Sequence, residues 1–380
     1  MTMFEEPTLV DSRQSLVLDL PPSCIEFCPA FPQFLLVGTY NLVKDENISP
    51  SSAGGKDDSE MDKPKTAKRP QSRNGSVIVF KFENGLLTLT QTLLQPSALL
   101  DLHFCPHSGK NDTLAVVSST GSLTFLRMDG AALPKSPLAT IKTNQLFPTD
   151  VLILSCAWHP SRSDLIGITT STGEVHILSL DDSFQVRGNL ETPAIKHSLE
   201  AWTLNISPPP NPTMNNEKEL VVYSGADDSK FCHAKCHIQI GDPDLTDLKV
   251  GKTGMTATVK AHGAGVTAIL PLDIYPSDGA RVVVTGSYDD TIRAFAMDHN
   301  DLTYCGGSSG NILAELNLGG GVWRLKLIDT KEDNGWAVHI LASCMHAGAR
   351  LVELRGTEDG QWIFKREVWR PLGLRLNQFL

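Results

Sequence analysis

Long apolar runs are missing from this chain. Nowhere in its 380 residues do about 18 apolar residues follow one another, which excludes an ordinary membrane-spanning helix. The first six residues, Met1 to Glu6, are acidic and carry no apolar segment, so no secretory leader is expected. A dense Lys/Arg stripe is also lacking within the patterned stretches. With a net charge of −10, a nucleic-acid backbone is a poor partner. The eight cysteines are scattered through apparent strands rather than spaced as a disulfide framework, which suits a reducing, cytoplasmic compartment. One cluster, Cys232, His233, Cys236 and His237, has a spacer too many for haem attachment. Residues four apart on a strand lie about 13 Å from each other, too far to share a zinc ion. No metal and no other cofactor is expected.

What the chain does have is repetition. Val284 to Phe295 reads as an apolar run, a small-residue turn and a second apolar run. Related stretches centre on Gly38, Ser119, Ser171, Gly225 and Cys344. An upstream element repeats too, because Phe27-Cys28-Pro29, Phe104-Cys105-Pro106 and Trp158-His159-Pro160 each end a strand with an aromatic residue, one spacer and a proline. A proline-stopped strand followed by strand-turn-strand, at a period of roughly 40 to 60 residues, is the pattern of four-stranded propeller blades. The fold expected is all-β, a WD-repeat-like β-propeller with six recognisable blades and an incomplete seventh.

The propeller should span residues 15–365 as one domain, since a lone blade cannot bury both its faces. Residues 47–74, rich in Ser, Gly, Pro and charge, read as a disordered insertion within the first blade. A loop is expected at Pro208 to Pro212, and residues 366–380 form an irregular tail. The early apolar stretch Ser15 to Leu20 is a candidate to pair with the segment around Trp362 and close the ring, which would otherwise leave two unpaired sheet edges.

Gly319-Gly320-Gly321-Val322-Trp323-Arg324, followed by Ala342 to Gly348, resembles the paired signatures of the eukaryotic diphthine methylesterases, WD-repeat proteins of diphthamide synthesis. His197 to Trp202, Tyr223 to Asp228, Gly286 to Asp289 and Gly38 to Leu42 match in the same order. The resemblance covers roughly residues 20–355. Relative to the family pattern the chain is shortened at its C-terminal side, lacking the Tyr-Gly-x-Asp-Trp and Cys-Ser-Phe-Tyr-Asp-His stretches. What the resemblance implies is a carboxylic ester hydrolase that removes the methyl ester of methylated diphthine on translation elongation factor 2, its protein partner and substrate. The competing reading is a noncatalytic WD-repeat scaffold for cytosolic protein complexes, because fold alone never establishes an enzyme.

The expected substrate carries a trimethylammonium group, which aromatic faces and carboxylates hold. Glu200-Ala201-Trp202, Gly265-Val266-Thr267 and Gly321-Val322-Trp323 fall in one register at the starts of innermost strands. Trp202, Trp323, Glu200 and Tyr288 are therefore the candidate cage, although packing between blades would account for the tryptophans equally well. For chemistry, His346 and Cys344 would share a face if their segment is extended, and Arg324 is a candidate oxyanion donor. Asp228 and Asp289 match the structural aspartate of WD turns. Gly306 to Gly310 satisfies a G-x-S-x-G string, but on a loop between strands rather than a strand-to-helix elbow.

Overall fold

The computed structural model describes residues 13–42, 73–130, 136–187, 190–208, 219–240, 248–276, 280–297, 311–332, 334–357 and 360–367. The expected insertion, most of the Pro208 to Pro212 loop, the Gly306 to Gly310 string and nearly all of the C-terminal tail lie outside them. Among the described residues no helix is long and apolar enough to cross a membrane. Arg73 and Asn74, assigned above to the insertion, pair with Leu42 and Asn41 at the start of a strand.

Six antiparallel sheets follow one another along the chain. Their innermost strands are Pro22–Phe27, Leu99–Phe104, Ile153–His159, Ala201–Ser207, Val266–Pro271 and Val322–Glu332, and we number the blades 1 to 6 by them. Each pairs with a second strand, and Phe34–Thr39, Thr113–Ser118 and Arg281–Ser287 are buried at every position. In blades 2 and 5 these strands have a neighbouring blade on both faces, which is why Leu114 to Val117 reads as a continuous apolar run rather than alternating with polar residues. The turn after the second strand needs a left-handed residue, supplied by Gly121 (φ 72°), Gly173 (φ 82°), Ser229 (φ 62°) and Asp290 (φ 64°) in blades 2 to 5.

Apolar clusters fill the five interfaces from blade 1 to blade 6. The far face of blade 1 has only a small one, of Leu35, Val37, Ile78 and Phe80. Innermost strands pack in succession from blade 1 to blade 6, with no comparable packing of Val322–Glu332 on Pro22–Phe27 among the described residues. A seam therefore separates blades 6 and 1. Ile25 (64% exposed) and Leu94 (78%) of blade 1, and Leu341 (42%) and Ile363 (56%) of blade 6, are solvent-exposed apolar side chains of those two blades.

Closure through Ser15 to Leu20 does not occur. The Trp362–Glu367 strand is instead the fourth of blade 6, paired along Gly348–Gly356 and stacking Trp362 on Trp336 with ring centres 5.7 Å apart. The early stretch is not a strand. Gln14 bonds both backbone groups of Leu87, and Leu18 packs on the small blade 1 cluster, so its apolar side chain is satisfied there. The described residues hold no seventh sheet.

Candidate active site

Every innermost strand carries the same irregularity. Its pairing with the second strand slips between Pro22 and Cys24, Leu99 and Asp101, Ile153 and Ser155, Ala201 and Thr203, Val266 and Ala268, and Val322 and Arg324. A bulge of this kind re-aims the extra side chain and bends the strand. The residue so placed is Ser23, Leu100 or Leu154 in blades 1 to 3, and Trp202, Thr267 or Trp323 in blades 4 to 6.

A second repeated position lies at the turn beyond the second strand. There the backbone N–H of Tyr40, Ser119, Ser171, Asp227 or Tyr288 donates to the residue just before the bulged strand pair, at 2.9 to 3.0 Å. In blade 6 the pairing of Val322 with Cys344 puts Met345 at this position. The two positions meet at the mouth of the channel. Trp202 and Trp323 lie 5.8 Å apart at their ring centres, Trp202 and Tyr288 6.1 Å, and Tyr288 and Trp323 5.8 Å. The small Thr267 between the two tryptophans keeps a third bulky side chain out of their way. Three of the four expected cage residues are thus brought together, partly exposed.

The fourth, Glu200, contributes its carbonyl, which accepts from the Asp227 N–H at 2.9 Å. The carboxylate touching the rings is Asp227, whose Oδ1 accepts from Trp202 Nε1 at 3.2 Å. A Cβ on Gly265 would lie 2.6 Å from that oxygen and 3.1 Å from Tyr288 Cδ2, so glycine there allows both turn side chains to lean over the mouth. Burial, and then the Asp227 charge, push the Tyr288 phenol up to about 12, so it stays protonated at neutral pH.

Arg324 joins this mouth to the channel. Its guanidinium carbon sits 5.2 Å over the Trp323 ring, and its Nη2 donates across the channel to Asp101 Oδ1 of blade 2 at 3.2 Å. Below lies a cavity of about 240 Å³ with Asp101, His103, Ser155, Trp158 and Leu325 in its wall. Asp101, 1% exposed, also accepts from Ser155 Oγ at 2.7 Å and lies 3.4 Å from His103 Nε2. His103 Nδ1 is 3.0 Å from Glu26 Oε2 of blade 1. Burial alone would raise the Asp101 pKa, but Arg324 and His103 outweigh it and hold the carboxyl well below the usual carboxylate range. For His103 burial opposes the charge, yet Asp101 and then Glu26 push the imidazole up to about 10, so it is an imidazolium at neutral pH. Its side chain is 41% exposed.

The expected Cys344 and His346 face does not form. Met345–Ala347 is a 3-10 turn, which breaks the period-two alternation. Cys344 is fully buried in the core between blades 5 and 6, and His346 is exposed on the turn. His346 occupies the turn position that Asp228 and Asp289 hold in blades 4 and 5. Those two aspartates clip their turns to the loop before the blade. Asp228 accepts from the Ser198 and Lys230 backbone N–H groups at 3.1 Å, and Asp289 from Gly263 at 2.9 Å and Thr291 at 3.1 Å. Each is backed by a buried histidine, His197 bonded to Ser224 at 3.0 Å and His262 bonded to Thr285 at 2.7 Å. Burial depresses both histidines, His262 to about 4, so they stay neutral members of the blade.

The sequence reading missed Asp227, His103 and Asp101. Asp227 was legible as the repeat equivalent of Tyr288. Asp101 and His103 were two polar residues at period-two spacing in an otherwise apolar strand. Cys232 and Cys236, with their neighbouring histidines, lie in the extended strand Lys230–Ile240, paired along both edges.

No protein-family model matches the chain. Solved structures of Chaetomium thermophilum Sqt1 share the fold. Sqt1 bound to the N-terminus of ribosomal protein L10 has a TM-score of 0.50 at 13% identity, covering 90% of this chain and 86% of that one. A second Sqt1 structure has a TM-score of 0.50 at 15% identity, covering 90% and 83%. In sequence, the chain is 25% identical over 339 residues to a Schizosaccharomyces pombe protein named diphthine methyltransferase, covering 88% of this chain and 81% of the relative. The Saccharomyces cerevisiae protein of that name is 26% identical over 391 residues, covering 92% and 87%. A Dictyostelium discoideum homolog is 24% identical, covering 90% and 83%. Over about nine-tenths of its length, this chain is a distant homologue of the proteins named diphthine methyltransferase.

Proposed function

We propose that this chain hydrolyses the methyl ester of methylated diphthine on translation elongation factor 2, a step of diphthamide synthesis. The observation that carries the reading is the three-ring mouth of Trp202, Tyr288 and Trp323, continuous through Arg324 with a polar channel. Aromatic faces hold a trimethylammonium group for roughly 1 to 2 kcal/mol per good contact. The sequence kinship supports the substrate, and the aromatic mouth supports the way it is gripped.

In this reading Arg324, beside the cage, donates to the ester carbonyl oxygen as negative charge develops on it. Glu26 takes a proton from the attacking water. As the tetrahedral intermediate collapses, the C–O bond to the methoxy group breaks and His103 gives its proton to the departing methanol oxygen. The proton on Glu26 then returns to His103 along their hydrogen bond, and the carboxylic acid product releases its own proton to solvent. Asp101 holds His103 charged and Arg324 in place throughout.

The test is mass spectrometry of methylated-diphthine elongation factor 2 incubated with intact protein, His103→Gln and His346→Ala. The expected result is loss of one methylene mass with intact protein and with His346→Ala, and on the order of 100-fold slower loss with His103→Gln. A gain of methyl mass in the presence of a methyl donor would reverse the direction of the reaction. No loss despite a folded protein that still holds elongation factor 2 would make the chain a scaffold. Equal rates with His103→Gln would move proton transfer elsewhere.

A further inference from the structure

We infer that Asp227 makes the mouth selective for a permanently cationic group, acting as the carboxylate of the cage. The inference rests on the proposal that the mouth receives a quaternary ammonium group, and it names the residue that sets its charge preference.

The three rings alone hold a neutral tert-butyl group through dispersion and apolar burial, and favour an ammonium over it only by the cation–π attraction of their faces. A formal negative charge at their edge separates the two. Asp227 is an exposed side chain at the turn position equivalent to Tyr288, on the blade that carries Trp202. Its Oδ1 accepts the indole N–H of Trp202, and its charge is felt at the Tyr288 phenol. A carboxylate accepting that N–H draws positive charge from the indole edge and leaves the ring face richer in electrons, which strengthens its attraction for a cation. Arg324, a cation whose charge reaches Tyr288, is already paired with Asp101 at 3.2 Å, so its charge is offset on the channel side of Trp323. Glycine at Gly265 leaves room for the Asp227 carboxylate, which a Cβ would contact at 2.6 Å.

The arrangement is also specific to its place in the ring. The same turn position is Ser119 in blade 2 and Ser171 in blade 3, where the bulge residues are Leu100 and Leu154. Acid and aromatic residues coincide only at the blade 4 and 5 side of the mouth.

The experiment uses two small probes of similar size, tetramethylammonium and neopentyl alcohol, titrated against the full chain while following the Trp202 indole N–H by NMR. Wild type should bind tetramethylammonium on the order of tenfold more tightly than the alcohol, and Asp227→Asn should remove most of that preference, the rings keeping a cation–π share, while leaving the alcohol unchanged. Asp227→Glu should restore part of it. Asp290→Asn, which removes a carboxylate from the neighbouring turn at a residue whose left-handed backbone asparagine tolerates, should leave it intact. Equal weakening of both probes in Asp227→Asn would mean a packing role and overturn the inference, as would no change, or no saturable tetramethylammonium binding by wild type. Neither probe is an ester, so binding is read without turnover. A chain with the expected preference and no demethylation sinks the reaction but not the role of Asp227; demethylation with an unaltered KM in Asp227→Asn does the reverse.

Discussion

Blades 1 to 3 and blades 4 to 6 share one scaffold and furnish different chemistry. Both halves carry the bulge at the start of the innermost strand, and five of the six blades show the same turn hydrogen bond. Blades 1 to 3 place Ser23, Leu100 and Leu154 at the bulge and supply Glu26, Asp101, His103 and Ser155 to the channel. Blades 4 to 6 place Trp202, Thr267 and Trp323 at the bulge and supply an aromatic mouth. A repeat fixes where a side chain will point, and only the residue chosen at each copy decides what it does.

The largest effect should come from cutting the ion pair that crosses the channel between the halves. Asp101→Ala leaves Arg324 and His103 without their shared counter-charge at a nearly closed site. It should cost about 2 to 4 kcal/mol in urea unfolding, below the range for fully buried pairs because both cations are partly exposed. Turnover should fall with it, and the His103 resonance should move to that of a neutral imidazole near pH 7. A variant with unchanged stability would mean that the two halves are held together by their apolar interfaces alone.

Breaking the mouth should be milder for stability and sharper for substrate. Trp323→Ala and Tyr288→Ala should each raise KM by roughly tenfold, about 1 to 2 kcal/mol per lost ring, with the pH profile unmoved because the titrating groups lie in the other half. Loss of kcat alone, with KM unchanged, would argue that the rings pack the blades and do not grip the cation.

One histidine from each half should respond to pH with opposite signs. His103, raised to about 10 when folded, binds its proton more tightly than in the unfolded chain; its stabilisation is complete below pH 6.5 and is lost as pH rises toward 10. His262, lowered to about 4, is neutral when folded; its penalty grows as pH falls from 6.5 toward 4. Stability measured by chemical unfolding should therefore decline on both sides of about pH 6.5. His103→Gln should lessen only the alkaline decline, and His262→Gln only the acid decline, which His159 of blade 3, also lowered to about 4 by burial, shares.

How much of this was legible in the sequence follows from which contacts are local. The register of Glu200, Gly265 and Gly321 predicted that Trp202 and Trp323 sit alike, because the bulge recurs without changing the spacing. Period-two reasoning failed at Cys344 and His346, where the chain leaves the sheet for a 3-10 turn. The Arg324 to Asp101 bond spans 223 residues, and no pattern in either segment announces the other. Ser15 to Leu20 was apolar enough to suggest a strand, but it runs as an irregular segment with one leucine, Leu18, half-buried on blade 1.

The smallest effect should appear on the face of blade 1 that no other blade covers among the described residues. Ile25, two residues past the bulge, corresponds to Leu102, Leu204 and Ile269, which are buried where another blade precedes their own, yet it is 64% exposed, against 6% for Ile269 of blade 5. Burying a valine or isoleucine fully contributes roughly 1.5 to 3 kcal/mol, and a side chain already in water forgoes most of that. Ile25→Ser should therefore change stability by less than about 0.5 kcal/mol, while Ile269→Ser should cost about 2 kcal/mol or more through the lost burial and an unpaired hydroxyl. Differential scanning of the pair tests whether the seam is open in solution. If Ile25→Ser proves as damaging as Ile269→Ser, something covers that face of blade 1, and the two blade surfaces are not the contrast that their exposure makes them.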